Sequence, residues 1–282
     1  MQKIDHSSAL HLALTTFKSA NPKGLIGFVP TMGALHEGHI KLIHEARKKT
    51  DLVVCSIFVN PTQFNNPNDL ARYPRTLEAD LLLLEHALCD IVYFPTVEDV
   101  YPHGTNEKYN IDFFGLDQVM EGKFRPGHFN GVARVVHRFF DLVKPDIAFF
   151  GRKDFQQVAI IKHLIKVKNI AVQIEEVQTE RSPEGLALSS RNMLLTEEQR
   201  TDALIIFQTL SLAREFAKTE KKTELVKNKL ISFFNTGKLR LEYLEIVDNI
   251  SLQTPEIIES GCSCCIAAFC GEVRLIDNIS IA

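Results

Sequence analysis

The chain has 282 residues, of which 45% are hydrophobic and 24% are charged, and its formal net charge is −3. This length suits one large core or two ordinary ones, and the slight acidity argues against a general nucleic-acid-binding protein. No apolar run approaches the roughly 18 residues of a membrane span, and the first residues lack a signal-peptide pattern. We therefore expect a cytoplasmic protein without membrane attachment.

The first half of the chain alternates between apolar runs and helical patterns. The strand-like runs lie at 25–29, 52–59, 90–94, 146–150 and 172–177. Helical periodicity covers 40–49, 76–88, 131–143 and 154–167. Continuous apolar strands that alternate with helices predict a parallel sheet covered on both faces. The predicted fold is α/β, a Rossmann-like doubly wound parallel sheet over residues 1–180.

The pattern changes beyond residue 180. A long helix is expected after Thr196, with Gln199 at the capping-box position, and a second one over 222–235. Three strand-like runs follow at 239–247, 262–269 and 272–278. These elements predict a second, smaller α+β C-terminal domain over 181–282. In the first domain, the segment 121–132 has three glycines and a proline, and we expect a long connection or a mobile flap there.

Four of the six cysteines crowd into the run "CSCCIAAFC" near the C-terminus. Zinc sites need paired cysteines that are well separated along the chain, and a long chain without an export signal is a poor candidate for disulfides. We interpret these cysteines as free thiols that pack as small apolar side chains in a buried strand.

Ligands of doubly wound sheets bind outside the carboxyl ends of the strands. After the first predicted strand, His36 and His39 are three residues apart, so a helix beginning here would point them the same way. A helix N-terminus favours phosphate, and Gly38 would let a ligand approach the backbone. The spacing differs from the His-Glu-x-x-His metalloprotease motif. A tight turn with two incidental histidines stays an alternative.

Polar residues also follow the other strands. Asn60 and Gln63 could orient a substrate, although Asn-Pro is also a turn signal. Gly151 and Lys153 could hold a phosphate, while Asp154 and Gln157 also have the spacing of a capping box.

The last group, Ser189, Ser190 and Arg191, could grip phosphate oxygens. There is no G-x-S-x-G elbow and no Walker loop. Together the segments predict a nucleoside triphosphate site in which catalysis works by positioning and charge stabilisation.

Several motifs occur in an order that resembles one family. They are "VPTMGALHEGH", "FVNPTQF", "YPRT", "RPGHFNGV", "FGRKDFQQ", "GLALSSRN" and "RLIDN". Their order is similar to that of the pantothenate synthetase family, within the nucleotidyltransferases that carry a His-x-Gly-His signature. The resemblance implies an ATP-dependent ligase that condenses pantoate with β-alanine through a pantoyl adenylate and releases AMP and pyrophosphate. It also implies Mg²⁺ as a cofactor and a homodimer.

The resemblance assigns roles to residues that match the family's motifs. It implies ATP binding by Met32, Gly33, Ala34, Leu35, His36, Glu37, Gly38, His39, Gly151, Arg152, Lys153, Asp154, Glu180, Leu188, Ser189, Ser190 and Arg191. It implies pantoate binding by Pro30, Met32, Gln63 and Gln157, with Gln63 also near β-alanine and Asn60 supporting the pocket. It implies catalytic roles for His36, His39, Lys153, Ser189, Ser190 and Arg191. His39 is the implied proton donor, which suits the ordinary histidine pKa of about 6.5.

Two positions depart from the family's pattern. Arg152 stands where the family commonly has glutamate, and Ala79 separates Glu78 from Asp80 where some members have adjacent acidic residues. We therefore predict no protein ligand for a metal ion. Another adenylyltransferase of the same superfamily, or a non-catalytic nucleotide-binding protein, stays an alternative function.

Overall fold

The computed structural model describes residues 1–107 and 109–282. Within this part of the chain, a six-stranded sheet is formed by β1 Gln2–Ile4, β2 Ile26–Thr31, β3 Leu52–Ile57, β4 Ile91–Tyr93, β5 Ile147–Gly151 and β6 Gln173–Val177. The strand order is β1-β4-β3-β2-β5-β6, and every neighbouring pair is parallel. Because β2 lies between β3 and β5, the winding reverses beside β2, which confirms the doubly wound prediction.

Helices cover both faces of this sheet. They are α1 Ser7–Ala20, α2 Glu37–Lys49, α3 Pro67–Arg72, α4 Leu77–His86, α5 Val97–Val100, α6 Met120–Phe124, α7 His128–Val143 and α8 Phe155–Lys168. Successive strand residues enter different cores: Phe28 packs into the cluster that contains Phe139, whereas Val29 packs into the one that contains Ile43. Two covered faces explain why the strands read as continuous apolar runs.

The segment 121–132 is mostly helical, so the expectation of a long connection or flap was wrong. α6 and α7 together leave 125–127 as the connection between them, and Gly127 begins α7 with φ +82°. Gly131 lies inside α7, where a Cβ atom would come 2.3 Å from the Thr62 carbonyl oxygen. This glycine permits close packing of a helix.

The C-terminal part is an antiparallel sheet with three helices in the described residues. The helices are α9 Glu197–Asp202, α10 Leu204–Thr219 and α11 Thr223–Phe234, and the strands are β7 Arg240–Asp248, β8 Cys262–Cys270 and β9 Val273–Ser280. The strand order is β7-β8-β9. Thr196 and Gln199 form the predicted capping box, but the predicted single helix is interrupted after Asp202. The α+β prediction is confirmed.

All six cysteines lie in the described part of the chain, and all are free and buried. Four of them are on β8, the central strand of the C-terminal sheet. Burial raises the pKa of the Cys264 and Cys265 thiols. The interpretation of this run as buried apolar packing is confirmed.

The two parts of the chain meet along α6 and the C-terminal sheet. Arg274 on β9 donates to both carboxylate oxygens of Glu121, at 2.7 and 2.8 Å, and the Tyr243 hydroxyl donates to the same carboxylate at 2.9 Å. Burial raises the pKa of Glu121, but the hydrogen bonds and charge of Arg274 outweigh it and hold the pKa at about 2. Met120, Tyr243 and Cys265 pack beside this ion pair in a shared apolar cluster. In the described residues, none of the helices combines the length and apolar character needed to span a membrane.

Candidate active site

The turn after β2 has an unusual backbone that a buried carboxylate stabilises. Gly33 and Ala34 have φ of +79° and +50°, a region that costs energy for alanine. Asp80 on α4 is 1% exposed and accepts the backbone N–H groups of Ala34 at 2.9 Å and Leu35 at 2.8 Å. Asp80 therefore holds the turn that leads into α2.

His36 and His39 are adjacent at the start of α2, with ring centroids 4.1 Å apart. Nδ1 of His36 accepts the Gly38 N–H at 3.1 Å, and Nδ1 of His39 accepts the His36 N–H at 3.3 Å. A neutral ring whose Nδ1 accepts a hydrogen bond carries its proton on Nε2. Both rings therefore present Nε2–H as a donor.

The free protein keeps these histidines neutral near pH 7. Burial, then the nearby Lys153 ammonium, lowers the pKa of His36 to about 4, although Asp154 opposes this. Burial, His36 and Lys153 lower the pKa of His39 well below its ordinary value. The ordinary pKa assumed from the sequence is thus not that of either folded histidine. Gly38 has a further reason to be glycine, because a Cβ atom there would lie 2.9 Å from the His36 ring.

The segment after β5 forms a short 3₁₀ turn, Arg152–Asp154. A Cβ atom at Gly151 would have no neighbour within 4 Å among the described residues, so a ligand has room at this backbone. Arg152 lies 3.5 Å from Glu176 on β6, which directs its charge to the sheet edge. The side chains of the described residues do not cap α8, so the capping alternative for Asp154 and Gln157 was wrong.

The loop with Ser189, Ser190 and Arg191 closes against the first turn. The Ser190 hydroxyl donates to the Ala34 carbonyl at 2.9 Å, and Ser189 Oγ accepts the Arg191 N–H at 3.3 Å. The Arg191 guanidinium pairs with Asp69 at 3.1 Å. The structure thus joins two segments that are about 150 residues apart in sequence.

Glu180 and Leu188 belong to the same assembly. The Glu180 carboxylate pairs with Lys41 on α2 at 2.6 Å, and its carbonyl accepts the Leu188 N–H at 2.9 Å. Glu37 is exposed in the first turn of α2. The segment between β6 and this loop therefore lies against α2, which carries the histidines.

Gln63 lies in a 3₁₀ turn after β3, Pro61–Gln63. Its Nε2 is 2.9 Å from Met32 Sδ, and its Oε1 accepts Asn60 Nδ2 at 3.1 Å. Asn60 is 1% exposed and also donates to the Gly131 carbonyl on α7 at 3.2 Å. The turn signal at Asn60 and the polar contacts of Gln63 are thus both present. Pro30 lies near the carboxyl end of β2.

A cleft that is partly open to solvent adjoins the turn after β5. Its lining includes Lys153, Asp154 and Gln157 from the turn after β5 and the start of α8, Arg125 from the connection between α6 and α7, and His128 from the start of α7. Burial and the Arg125 charge lower the pKa of His128 to about 3, although its bond to the Gln63 carbonyl opposes this. His128 is therefore neutral, and Lys153 and Arg125 contribute positive charge to the lining of the cleft.

No group of three or more metal-ligating acidic, histidine or cysteine side chains occurs in the part of the chain that the structure describes. Asp80, the buried carboxylate nearest the first turn, is engaged with two backbone N–H groups and the Thr76 hydroxyl. Among residues 1–107 and 109–282, the acidic, histidine and cysteine side chains therefore do not cluster into a site that fits a resident metal ion.

Sequence reasoning missed several residues of this region. The sequence drew attention to Asp80 only because Ala79 separates it from Glu78, and it gave no indication that Asp80 holds the first turn. Nothing in the sequence predicted that Asp69 pairs with Arg191. Arg125 and His128 lie in "RPGHFNGV", which the family resemblance contained without assigning them a role.

The two segments that follow β2 and β5 flank the point where the sheet reverses its winding, and they carry paired histidines and a lysine. This arrangement defines the class of α/β nucleotide-binding enzymes. The chain belongs to the pantoate–β-alanine ligase family, because the family model described as "Pantoate-beta-alanine ligase" matches residues 2–280.

Individual relatives agree with this assignment. A pantothenate synthetase from Bacteroides thetaiotaomicron is 45% identical over 281 residues, which is 99% of this chain and 98% of the relative. The crystal structure of a pantothenate synthetase from Thermus thermophilus superimposes with a TM-score of 0.93 at 37% identity, covering 100% of this chain and 99% of that one. A pantoate–β-alanine ligase from Francisella tularensis, solved with a β,γ-ATP compound and β-alanine, has a TM-score of 0.81 at 36% identity over 99% and 97% of the two chains.

Proposed function

We propose that the cleft beside β2 and β5 binds ATP, pantoate and β-alanine and joins the last two through a pantoyl adenylate. Membership of the family makes the chain an ATP-dependent pantoate–β-alanine ligase. The observation that carries the assignment of the site is the bond between Ser190 and the Ala34 carbonyl. It brings the loop of residues 189–191, the serine–arginine loop, onto the turn of residues 33–36, the histidine turn. Both lie at the switch point of the sheet, which is where such folds bind nucleotides.

The ATP subsite consists of the turn after β2, the turn after β5 and the serine–arginine loop. His36 and His39 each offer a neutral Nε2–H to phosphate oxygens. Lys153 and Arg191 add positive charge, and Asp154 accepts a ribose hydroxyl. Donors that are already oriented stabilise the charge that develops as pyrophosphate leaves, without reorganisation at that moment. Bound phosphates also favour the protonated histidines, so His39 gains its role as proton donor only in the loaded enzyme.

The pantoate subsite is formed by Pro30, Met32, Gln63 and Gln157, with Gln63 also beside β-alanine. Gln157 lines the cleft beside the start of α8, where it can contact a ligand. Amide side chains suit a hydroxyl-bearing substrate because they both donate and accept hydrogen bonds. In the first step pantoate and ATP give pantoyl adenylate and pyrophosphate. In the second the β-alanine amine displaces AMP.

The proposal also covers the metal ion, the two domains and the oligomeric state. A Mg²⁺ ion that accompanies ATP takes its ligands from phosphate oxygens and water. We propose residues 1–180 as the catalytic domain and 181–282 as a lid, because the serine–arginine loop follows directly on that boundary. A cytoplasmic homodimer is carried over from the family resemblance.

Isotope exchange tests the function. Pyrophosphate exchange into ATP should require pantoate, and AMP should appear when β-alanine is added. Exchange that ignores pantoate would favour another adenylyltransferase. Nucleotide binding without exchange or AMP release would favour a non-catalytic protein.

A further inference from the structure

Strand β9 contributes three polar side chains to contacts outside its own sheet. Arg274 binds Glu121, and Asp277 pairs with Arg181 through two bonds of 2.5 and 2.9 Å. Asn278 Nδ2 donates to the backbone carbonyls of Arg152 at 2.9 Å and of Lys153 at 2.8 Å. The strand thus reaches directly into the turn that follows β5.

We propose that Asn278 is a positioning residue for the ligase reaction, which fixes the backbone of the Arg152–Asp154 turn and thereby directs the Lys153 ammonium at the nucleotide. The inference rests on the proposed ATP role of Lys153. It assigns the C-terminal sheet a part in the chemistry beyond covering the cleft.

The Arg152–Asp154 turn depends on hydrogen bonds from another part of the chain. Its side chains do not cap α8, and the Lys153 ammonium has a contact of 3.5 Å with Asp154, too long for a strong bond. Two backbone carbonyls in a tight turn need donors when they are removed from water. The Asn278 amide supplies both bonds with a single NH₂ group.

The chemical identity of residue 278 is specified by its surroundings. A side chain that faces two carbonyl oxygens must donate twice, and an amide does so without carrying charge. Asn278 is 8% exposed, and its backbone N–H donates to Asp277 at 2.8 Å. Since Arg181 also binds Asp277, the backbone from which the Asn278 side chain extends is held in place.

The two hydrogen bonds of Asn278 link the position of the lid to the position of Lys153. Any displacement of β9 pulls on the carbonyls of Arg152 and Lys153, because the two hydrogen bonds have little tolerance in length or angle. Lys153 is therefore correctly placed only when the C-terminal sheet is docked. Ordering a catalytic group by closure is a known way to couple binding to reaction.

Asn278→Asp provides the test, because it replaces the donating NH₂ by an oxygen at constant size. Three oxygens would then face one another, and the turn must move. We expect the Kd for ATP, measured by calorimetry on the full chain, to rise at least tenfold. Asn278→Ala, which removes the donor without the repulsion, should raise it less. Asn228→Asp makes the same chemical change on the exposed face of α11 and should leave the Kd within twofold.

A double-mutant cycle distinguishes positioning from general damage. In a Lys153→Ala background, Asn278→Asp should change the Kd less than twofold, because the group that it positions is gone. Equal fold-losses in both backgrounds would overturn the proposal, as would a single variant that binds ATP normally. These binding measurements do not depend on pantoate, so failure of pantoate-dependent exchange in the unaltered enzyme would defeat the proposed function separately.

Discussion

Asp80 stabilises a backbone that alanine adopts only at a cost. Its carboxylate accepts the N–H groups of Ala34 and Leu35 while Ser190 donates to the Ala34 carbonyl. The backbone N–H of Ala34 is therefore bound by Asp80 on α4, and its carbonyl is bound by Ser190 in the serine–arginine loop. The histidine turn keeps its shape through contacts that are far away in sequence.

Replacing Asp80 by asparagine should weaken this turn. An asparagine retains one acceptor but directs an NH₂ group at a backbone N–H, so a buried donor loses its partner. We expect the free energy of unfolding to fall by about 1–3 kcal/mol and the KM for ATP to rise about tenfold.

Asp99→Asn is the matched control for this substitution. Asp99 accepts the Ser7 N–H at 2.8 Å and the Ser7 hydroxyl at 2.7 Å, at the start of α1. It should lower stability in denaturant titrations but leave the KM for ATP unchanged. An Asp80 variant with normal ATP kinetics would contradict the positioning role.

His39 is the proposed proton donor, and we expect its removal to reduce turnover strongly. Removing a donor that stabilises transition-state charge costs roughly two to three orders of magnitude in turnover. His39→Ala should therefore reduce kcat at least about a hundredfold in an assay of AMP release. His86→Ala, at the exposed end of α4, serves as the control, and a loss below tenfold at His39 would remove it from the chemistry.

At the scale of elements, the sequence predicted strands and helices correctly where the same pattern of buried side chains continues along the whole element. The strands with two covered faces appear in the sequence as apolar runs, and α7 and α8 as periodic segments. β1 was not predicted because three residues contain too little pattern, and its place at the sheet edge depends on pairing with β4. The helix break after Asp202 also lies inside a continuous helical pattern.

The candidate site was predicted only as separate segments. Histidines, lysine and the serine–arginine loop could be recognised from local chemistry and from the family's motifs. The contacts that join them, such as Ser190 with Ala34 or Asn278 with the Lys153 turn, connect residues more than 100 positions apart. No local pattern encodes such pairs, because they depend on how the two sheets dock.

Two glycines in different elements should respond in opposite ways to alanine. In Gly131→Ala the new Cβ atom would lie 2.3 Å from the Thr62 carbonyl oxygen and 2.7 Å from Gln63 Cα, so α7 must move from the turn that bears Gln63. We expect a loss of about 1–3 kcal/mol in unfolding free energy and a higher KM for pantoate.

Gly151→Ala places its Cβ atom in open space at an ordinary φ of −75°. Stability should be unchanged or slightly raised, while the Kd for ATP rises because the methyl group occupies the approach to the nucleotide. Thermal denaturation and calorimetry on both variants check the pair. A destabilised Gly151→Ala with normal ATP affinity would reverse the interpretation.

At the scale of the whole molecule, β9 forms ion pairs with residues outside the C-terminal sheet. Arg274, near the start of β9, pairs with Glu121 on α6, and Asp277, in the middle of the strand, pairs with Arg181 in the segment after β6. Buried pairs of this kind give geometry more than net stability, since desolvation offsets much of their attraction. Their arrangement fixes the direction in which the C-terminal sheet meets the cleft.

The pH dependence of stability follows from buried or partly buried groups at the start of α2, in α6 and in α7. The pKa values of His36 and His128 are about 4 and about 3 in the folded protein, against about 6.5 unfolded. Between these values the unfolded chain binds protons that the folded chain does not. The contribution of these histidines to stability is therefore complete above pH 6.5 and decreases as the pH falls, by up to about 1.4 kcal/mol per pH unit for each histidine. Glu121, with its pKa near 2, adds to the loss only below about pH 4.5.

The window from pH 6.5 to 4.5 thus reports on the histidines. Urea titrations at half-unit steps should give a falling free energy of unfolding across it. His128→Asn retains a donor for the Gln63 carbonyl, which His128 contacts at 2.8 Å, but cannot be protonated. Its stability should be lower at pH 7 because packing is lost, yet its slope between pH 6.5 and 4.5 should be shallower than that of the unaltered protein. Parallel curves for the two proteins would mean that His128 is not held neutral by burial and by the neighbouring Arg125.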